Sequence, residues 1–385
     1  MTKMSEIQAV FQTYGPAYRT EHALPPHHQK TMNDIKNCRT ATLGGHIDQC
    51  DHCGHMDISY NSCRNRHCPK CQNLKREEWL LNRERDLLDV GYFHVVFTIP
   101  SALNPLVRLN QKTLYDILFQ AASETLLELA AASKYLGAQI GFISLLHTWG
   151  QNLMEHPHIH CILPGGGLSF DGLKWVSSRK KFFIPVKVLA RKFRGKFLAF
   201  LKAAFDHLFF GDAIGSLRRE ANFRALLNEL YRTNWVVYCK PPFKSPAFVL
   251  RYLGRYTHRV AIANSRIVSL ENDRVTFKWR DYRDNNREKL MTVSAFEFIR
   301  RFLLHVLPPR FVKIRYFGIL SNRTRKVKIR LCQRLLGMAF IPLKPKSRIE
   351  LLSDMLGFDP SVCRCCGKGK MVRRLLGFSD LAPPA

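Results

Sequence analysis

Three imidazoles alternate in His156-Pro157-His158-Ile159-His160, and the run ends at Pro164-Gly165-Gly166-Gly167. Alternate side chains point the same way only in an extended segment, so this pattern commits the stretch to a β-strand with one imidazole-lined face. Ile159 and Cys161 take the other face. Neutral imidazoles bind divalent metals, and a pair of them leaves positions open for water and phosphate oxygens. His158 and His160 are the candidate ligands, with His156 as the third and Gln151 or Glu155 of the preceding turn as competitors. Mg²⁺ or Mn²⁺ suits a catalytic site of this kind, ahead of Zn²⁺.

The neighbouring sequence gives this strand partners. Gln139 to Trp149 reads as a second strand joined to it by a short turn, a hairpin, so the sheet is expected to be antiparallel here. Phe93 to Ile99 is a strand stopped by Pro100, and Asn104 to Leu136 is one long or two shorter helices. Arg266 to Leu270, Arg274 to Trp279, Lys289 to Val293 and Val312 to Tyr316 alternate like short strands. Ser294 to His305 is a helix opened by a Ser294/Glu297 capping box. The fold class is therefore α+β.

Ser245-Pro246 starts a helix that runs to about Val260. Tyr252 and Tyr256, four apart, share one stripe of it, and Arg251, Arg255 and Arg259 share the adjacent stripe. A phenol needs help to become a nucleophile. A metal and a row of guanidinium groups can give it by polarising a phosphate and steadying the phenolate.

Cys50-x2-Cys53 and Cys68-x2-Cys71 each grip one edge of a tetrahedral zinc, and the simplest reading is one structural Zn²⁺ held by all four in a ribbon-like module. Cys63, His67, His46, His52 and His55 lie close enough to compete, and a second zinc is an open alternative. Arg64, Arg66, Lys70, Lys75 and Arg76 surround the module with positive charge. Cys363, Cys365 and Cys366 form half a site, with no partner pair following them.

Lys and Arg number 60 against 30 Asp and Glu, a formal charge of +30 that calls for a polyanionic partner. Nucleic acid fits best, because the basic residues are spread along the chain rather than gathered in one amphipathic segment. No apolar run reaches the length of a membrane span, Met1 to Val10 has no apolar signal-peptide core, and the twelve cysteines are expected to be reduced. These features point to a cytoplasmic protein with no membrane partner.

With these motifs in view, the chain resembles the rolling-circle transposases of the HUH class, of the two-tyrosine insertion-sequence kind (the IS91 family). The resemblance rests on the N-terminal Cys pairs, Val95 to Pro100, His156 to Cys161, Tyr252 to Arg259 and Arg315 to Arg323. It implies a central antiparallel sheet with helices on its faces, His158 and His160 as metal ligands on a middle strand, and Tyr252 and Tyr256 as nucleophiles. The implied reaction is metal-dependent transesterification on single-stranded DNA at the element's ends and at target DNA, through a 5′-phosphotyrosine and without ATP. The expected layout is a helical and zinc-binding domain over 1–88, then a catalytic domain over 89–265. The latter carries a basic helical insertion at about 180–232 and the tyrosine helix at 245–260. A basic DNA-contacting region over 266–345 and a cysteine-bearing tail over 346–385 follow. A related replication initiator or relaxase would use the same chemistry, and a zinc-ribbon DNA-binding protein without catalysis is the alternative from another class.

Overall fold

The computed structural model describes residues 6–178, 184–243, 248–249, 254, 261–282, 284–339 and 346–375. In chain order its strands are β1 (Gly45–Cys50), β2 (Met56–Tyr60), β3 (Tyr92–Thr98), β4 (Gly141–Trp149), β5 (Glu155–Pro164), β6 (Gly166–Leu168) and β7 (Trp175–Ser177). These are followed by β8 (Val237–Phe243), β9 (Ile267–Glu271), β10 (Arg274–Asp281), β11 (Arg287–Ser294), β12 (Ile314–Gly318) and β13 (Met371–Leu375). The first seven helices are α1 (Ile7–Glu21), α2 (Pro26–Lys36), α3 (Gln72–Glu84), α4 (Asn104–Leu109), α5 (Gln111–Ala131), α6 (Val186–Ala203) and α7 (Glu220–Arg232). The chain divides into two compact units, one of Met1–Asn82, His258–Val306 and Pro342–Ala385, the other of Arg83–Thr257 and Leu307–Ile341. Among the described residues no helix is long and apolar enough to cross a membrane.

The second unit is built on a five-stranded sheet in the order β12-β4-β5-β3-β8, antiparallel throughout. The expected β4–β5 hairpin is present, and its register pairs His147 with His158 and Leu145 with His160. Because side chains alternate, the register sorts the sheet into two faces. Phe93, Val95, Phe97, Phe142, Leu146, Ile159, Cys161 and Leu163 lie on one, and they are buried in a core shared with α5 and α6. Phe97 meets Phe193 of α6 at 4.9 Å between ring centres. α6 is fastened to α5 by Lys196–Glu124 and Lys192–Glu128 ion pairs, each at 2.7 Å. The other face carries His94, His147, His158 and His160, continued by Ile143, Ile162 and Tyr92. One layer of helices therefore buries the apolar face, and the imidazoles stay outside that core.

β12 closes one edge of this sheet and ends at Gly318, whose φ is +60°. A Cβ here would lie 1.9 Å from the Ile140 carbonyl oxygen, which already accepts a hydrogen bond from the Ile319 amide. The obstacle is backbone of the adjoining β4 entry and cannot swing away. Gly318→Ala should cost about 3 kcal/mol or more from the left-handed backbone and the clash together. A lower urea midpoint at an unchanged slope would show it, and an unchanged midpoint would refute the assignment.

In the first unit, α1 packs on the helix Ala295–Leu303 through Phe11 against Phe302 and Tyr18 against Phe296. Ser294 caps that helix by accepting from the Glu297 amide, but the reciprocal half of the capping box is missing. The Glu297 carboxylate instead binds Arg300 and Arg301, which hold its pKa down at about 2. β9, β10 and β11 form one meander, and β1 lies between β2 and β13 in a separate three-stranded sheet. The pairing of β13 with β1 has no local signal in the sequence, since its two strands are more than 300 residues apart.

Candidate functional site: a histidine cluster and two thiolate clusters

His147, His158 and His160 bring their ring nitrogens to within 4.8 Å of one another. Neighbouring nitrogens around one ion with bonds of about 2.1 Å lie about 3.0–3.4 Å apart, so a shared ion would draw the three rings closer by side-chain rotation. His158 and His160 come from the strand that the alternating pattern marked. The third member is not His156: His147 supplies it from the neighbouring strand, placed opposite His158 by the hairpin register. His156 is exposed at the hairpin mouth, beyond the register shift that follows His147. Its contribution is its backbone. The His158 Nδ1–H donates to the His156 carbonyl oxygen at 2.5 Å, which turns Nε2 toward the cluster. Glu155 is drawn off by Arg108, whose Nε donates to it at 2.6 Å.

His94 on β3 has the same kind of orienting role. Its Nε2 lies 2.7 Å from His160 Nδ1, deep in the protein, with the two rings stacked. If His160 binds a metal through Nε2, its Nδ1 carries the proton and donates to His94. Burial is the main reason His94 and His158 titrate at about 3, with Lys240 adding to the effect at His94 and His156 adding to it at His158. Both rings are therefore neutral at physiological pH, as ligands and their partners must be. A sequence reading misses His147 and His94 because each is a lone histidine in an apolar strand. Only the hairpin register could have pointed to His147.

The cysteines form two clusters, not one. Cys38, Cys63, Cys68 and Cys71 converge, as do Cys50, Cys53, Cys363 and Cys366. A single zinc held by Cys50, Cys53, Cys68 and Cys71 is thus corrected: the two Cys-x2-Cys pairs belong to different sites. In the first cluster Cys71 lies 3.5 Å from Cys38 and 3.6 Å from Cys63. A tetrahedron with zinc–sulfur bonds of about 2.3 Å has edges of about 3.8 Å, close to these separations. Hydrogen bonds from Cys38, Cys63 and Cys68 hold the Cys71 thiol well below its ordinary pKa, and Cys38 is drawn down to about 7, mainly by Cys63. The same hydrogen bonds push the Cys63 and Cys68 thiols up, so without an ion the four compete for one negative charge, and gathering all four as thiolates is the work of a bound cation.

Two known families match the regions that carry these clusters. A "Transposase zinc-binding domain" family matches residues 10–99, and a family described as "Putative transposase" matches residues 141–328. The chain is 48% identical to "Putative transposase y4qJ" of Sinorhizobium fredii over 98% of this chain and 97% of that protein. It is 28% identical to the transposase for insertion sequence element IS801 of Pseudomonas savastanoi pv. phaseolicola, over 88% of this chain and 81% of that protein. This chain belongs to the IS91 family of transposases. No solved structure matches it.

An IS91-family transposase acts on DNA, which accounts for the charge of +30. Its zinc-binding match contains all of the Cys38/Cys63/Cys68/Cys71 cluster but only half of the other, since Cys363 and Cys366 lie far beyond residue 99. The second match contains His147, His158 and His160 together with Tyr252 and Tyr256. Tyr252, Tyr256, Arg251, Arg255 and Arg259 lie outside the described residues. Val249, three positions before Tyr252, is described. It is buried in a small cavity with Tyr92, Ile143, Ile162 and Tyr316, on the histidine-bearing face of the sheet.

Proposed function

We propose that this transposase cuts and rejoins single-stranded DNA at the ends of its element through a 5′-phosphotyrosine, on an HUH-type sheet and in the bacterial cytoplasm. In this reading His147, His158 and His160 hold a divalent metal, and Tyr252 and Tyr256 are the nucleophiles. The observation that carries it is the convergence of three imidazoles on one sheet face, two of them oriented by hydrogen bonds to His94 and to the His156 carbonyl. Val249 gives further support, because it brings the chain onto that face just before the tyrosines. The donor set fits a divalent ion, but it is all nitrogen and has no carboxylate, so Mn²⁺ should serve better than the harder Mg²⁺. Bound there, the ion would polarise the scissile phosphate.

The protein's own groups do the rest. A tyrosine oxygen attacks phosphorus and loses its proton to solvent, the bond from phosphorus to the 3′ oxygen breaks, and the departing 3′-hydroxyl takes up a proton. The phosphotyrosine keeps the bond energy, and a 3′-hydroxyl attacking it in reverse rejoins DNA and frees the phenol. Two tyrosines allow two successive cuts. Arg251, Arg255 and Arg259 would hold flanking phosphates, and exposed Lys240, on the histidine face of the edge strand β8, is placed to do the same.

The test uses labelled single-stranded DNA from the element's own end, Mn²⁺ or Mg²⁺, and a denaturing gel. A covalent protein–DNA band should form only with metal and should vanish, by about 10³-fold or more, in Tyr252→Phe/Tyr256→Phe. An undiminished band in that double variant, or cleavage without any adduct, would refute the mechanism.

A further inference from the structure

We propose that Cys50, Cys53, Cys363 and Cys366 hold a second structural zinc, which makes the C-terminal segment leading into β13 an obligatory half of the zinc-binding module. The sulfur separations fit a metal and not a disulfide. Cys50 lies 3.7 Å from Cys366 and Cys53 lies 3.7 Å from Cys363, near the edge of about 3.8 Å expected around zinc and far above a sulfur–sulfur bond of about 2.0 Å.

The two halves are also built alike. Each is Cys-x2-Cys-Gly, and each glycine has positive φ, +73° at Gly54 and +67° at Gly367. The Gly54 amide donates to the Cys50 carbonyl at 3.1 Å, and the Gly367 amide donates to the Cys363 carbonyl at 2.9 Å. Backbone amides point at the sulfurs, from Cys53 to Cys50 Sγ at 3.4 Å and from Gly369 to Cys366 Sγ at 3.3 Å, as thiolate ligands require. Position 369 must be glycine, because a Cβ there would lie 2.3 Å from Cys50 Sγ. Strand pairing continues the junction, with Cys50 opposite Met371, and an ion pair from Arg373 to Asp48 at 2.8 Å reinforces it. These features, 310 residues apart in sequence, agree on one tetrahedral site.

The full-length protein, stripped of metal under reducing conditions, is titrated with Co²⁺. Thiolate-to-cobalt charge transfer counts sulfur-bound ions and is blind to imidazole sites. Two such ions should bind per chain, and Cys363→Ser/Cys366→Ser should bind one. Cys366→His keeps four donors and should bind two, which preserves the test if the serine variant does not fold. In limited proteolysis the region after residue 346 should be cut faster in the serine variant and in zinc-stripped wild type than in the zinc-loaded protein. One sulfur-bound ion in wild type, two in the serine variant, or a Cys50–Cys366 or Cys53–Cys363 disulfide in the natively purified, folded protein would overturn the proposal. None of these results depends on DNA cleavage, so the catalytic reading stands or falls separately.

Discussion

His160→Ala should lower metal-dependent DNA cleavage by about 10³-fold or more, the loss of roughly 4 kcal/mol of transition-state stabilisation. His160 sits at the centre of the cluster, next to His147, His158 and His94. Removing it takes away a ligand and the anchor of the His94 bond together. His147→Ala should be similarly inactive, although nothing in its local sequence marks it. His94→Asn leaves all three ligands but loosens one, so a fall of about 10- to 100-fold is expected, partly recovered at high Mn²⁺. His156→Ala should stay within a few-fold of wild type, because the backbone carbonyl, not the exposed imidazole, holds His158. Cleavage rates across a Mn²⁺ titration separate the four, with DNA binding at matched salt and thermal unfolding as controls. A His156→Ala variant as inactive as His160→Ala would rule out this ligand set.

Cys68→Ser should remove one zinc per chain and unfold the surrounding module, the largest stability loss expected of any single substitution here. Cys68 is wholly buried, and structural zinc sites supply folding free energy directly, about 10 kcal/mol or more in isolated zinc-binding peptides. A serine oxygen is a poor fourth ligand, and what remains is a buried group with three thiols and no ion to gather them. Cys38→Ser should behave the same way, although Cys38 stands in no Cys-x2-Cys pair. Cys239→Ser, outside both clusters, should retain full zinc and an unchanged melting temperature. Zinc content by mass spectrometry and calorimetric unfolding provide the measurements. Equal zinc in Cys38→Ser and wild type would break the proposed grouping.

Local rules were enough wherever a pattern repeats over a few residues. The alternation of His158 and His160 against Ile159 and Cys161 fixes a strand and the face its imidazoles occupy, and the structure has that strand at Glu155–Pro164. Each Cys-x2-Cys-Gly run likewise carries its own turn, and the basic composition anticipates a DNA-acting protein. What partners these pieces was not legible. His147 becomes a neighbour of His158 only because the hairpin closes in one register, and His94 reaches His160 only because β3 pairs on the other side. Cys50 and Cys53 read as partners of Cys68 and Cys71 by nearness along the chain, yet β13 returns from the far end to pair with β1 and brings Cys363 and Cys366 with it. A short-range pattern encodes dihedral angles and the faces they present. A metal site selects atoms by distance in space, and strand register across hundreds of residues decides that distance.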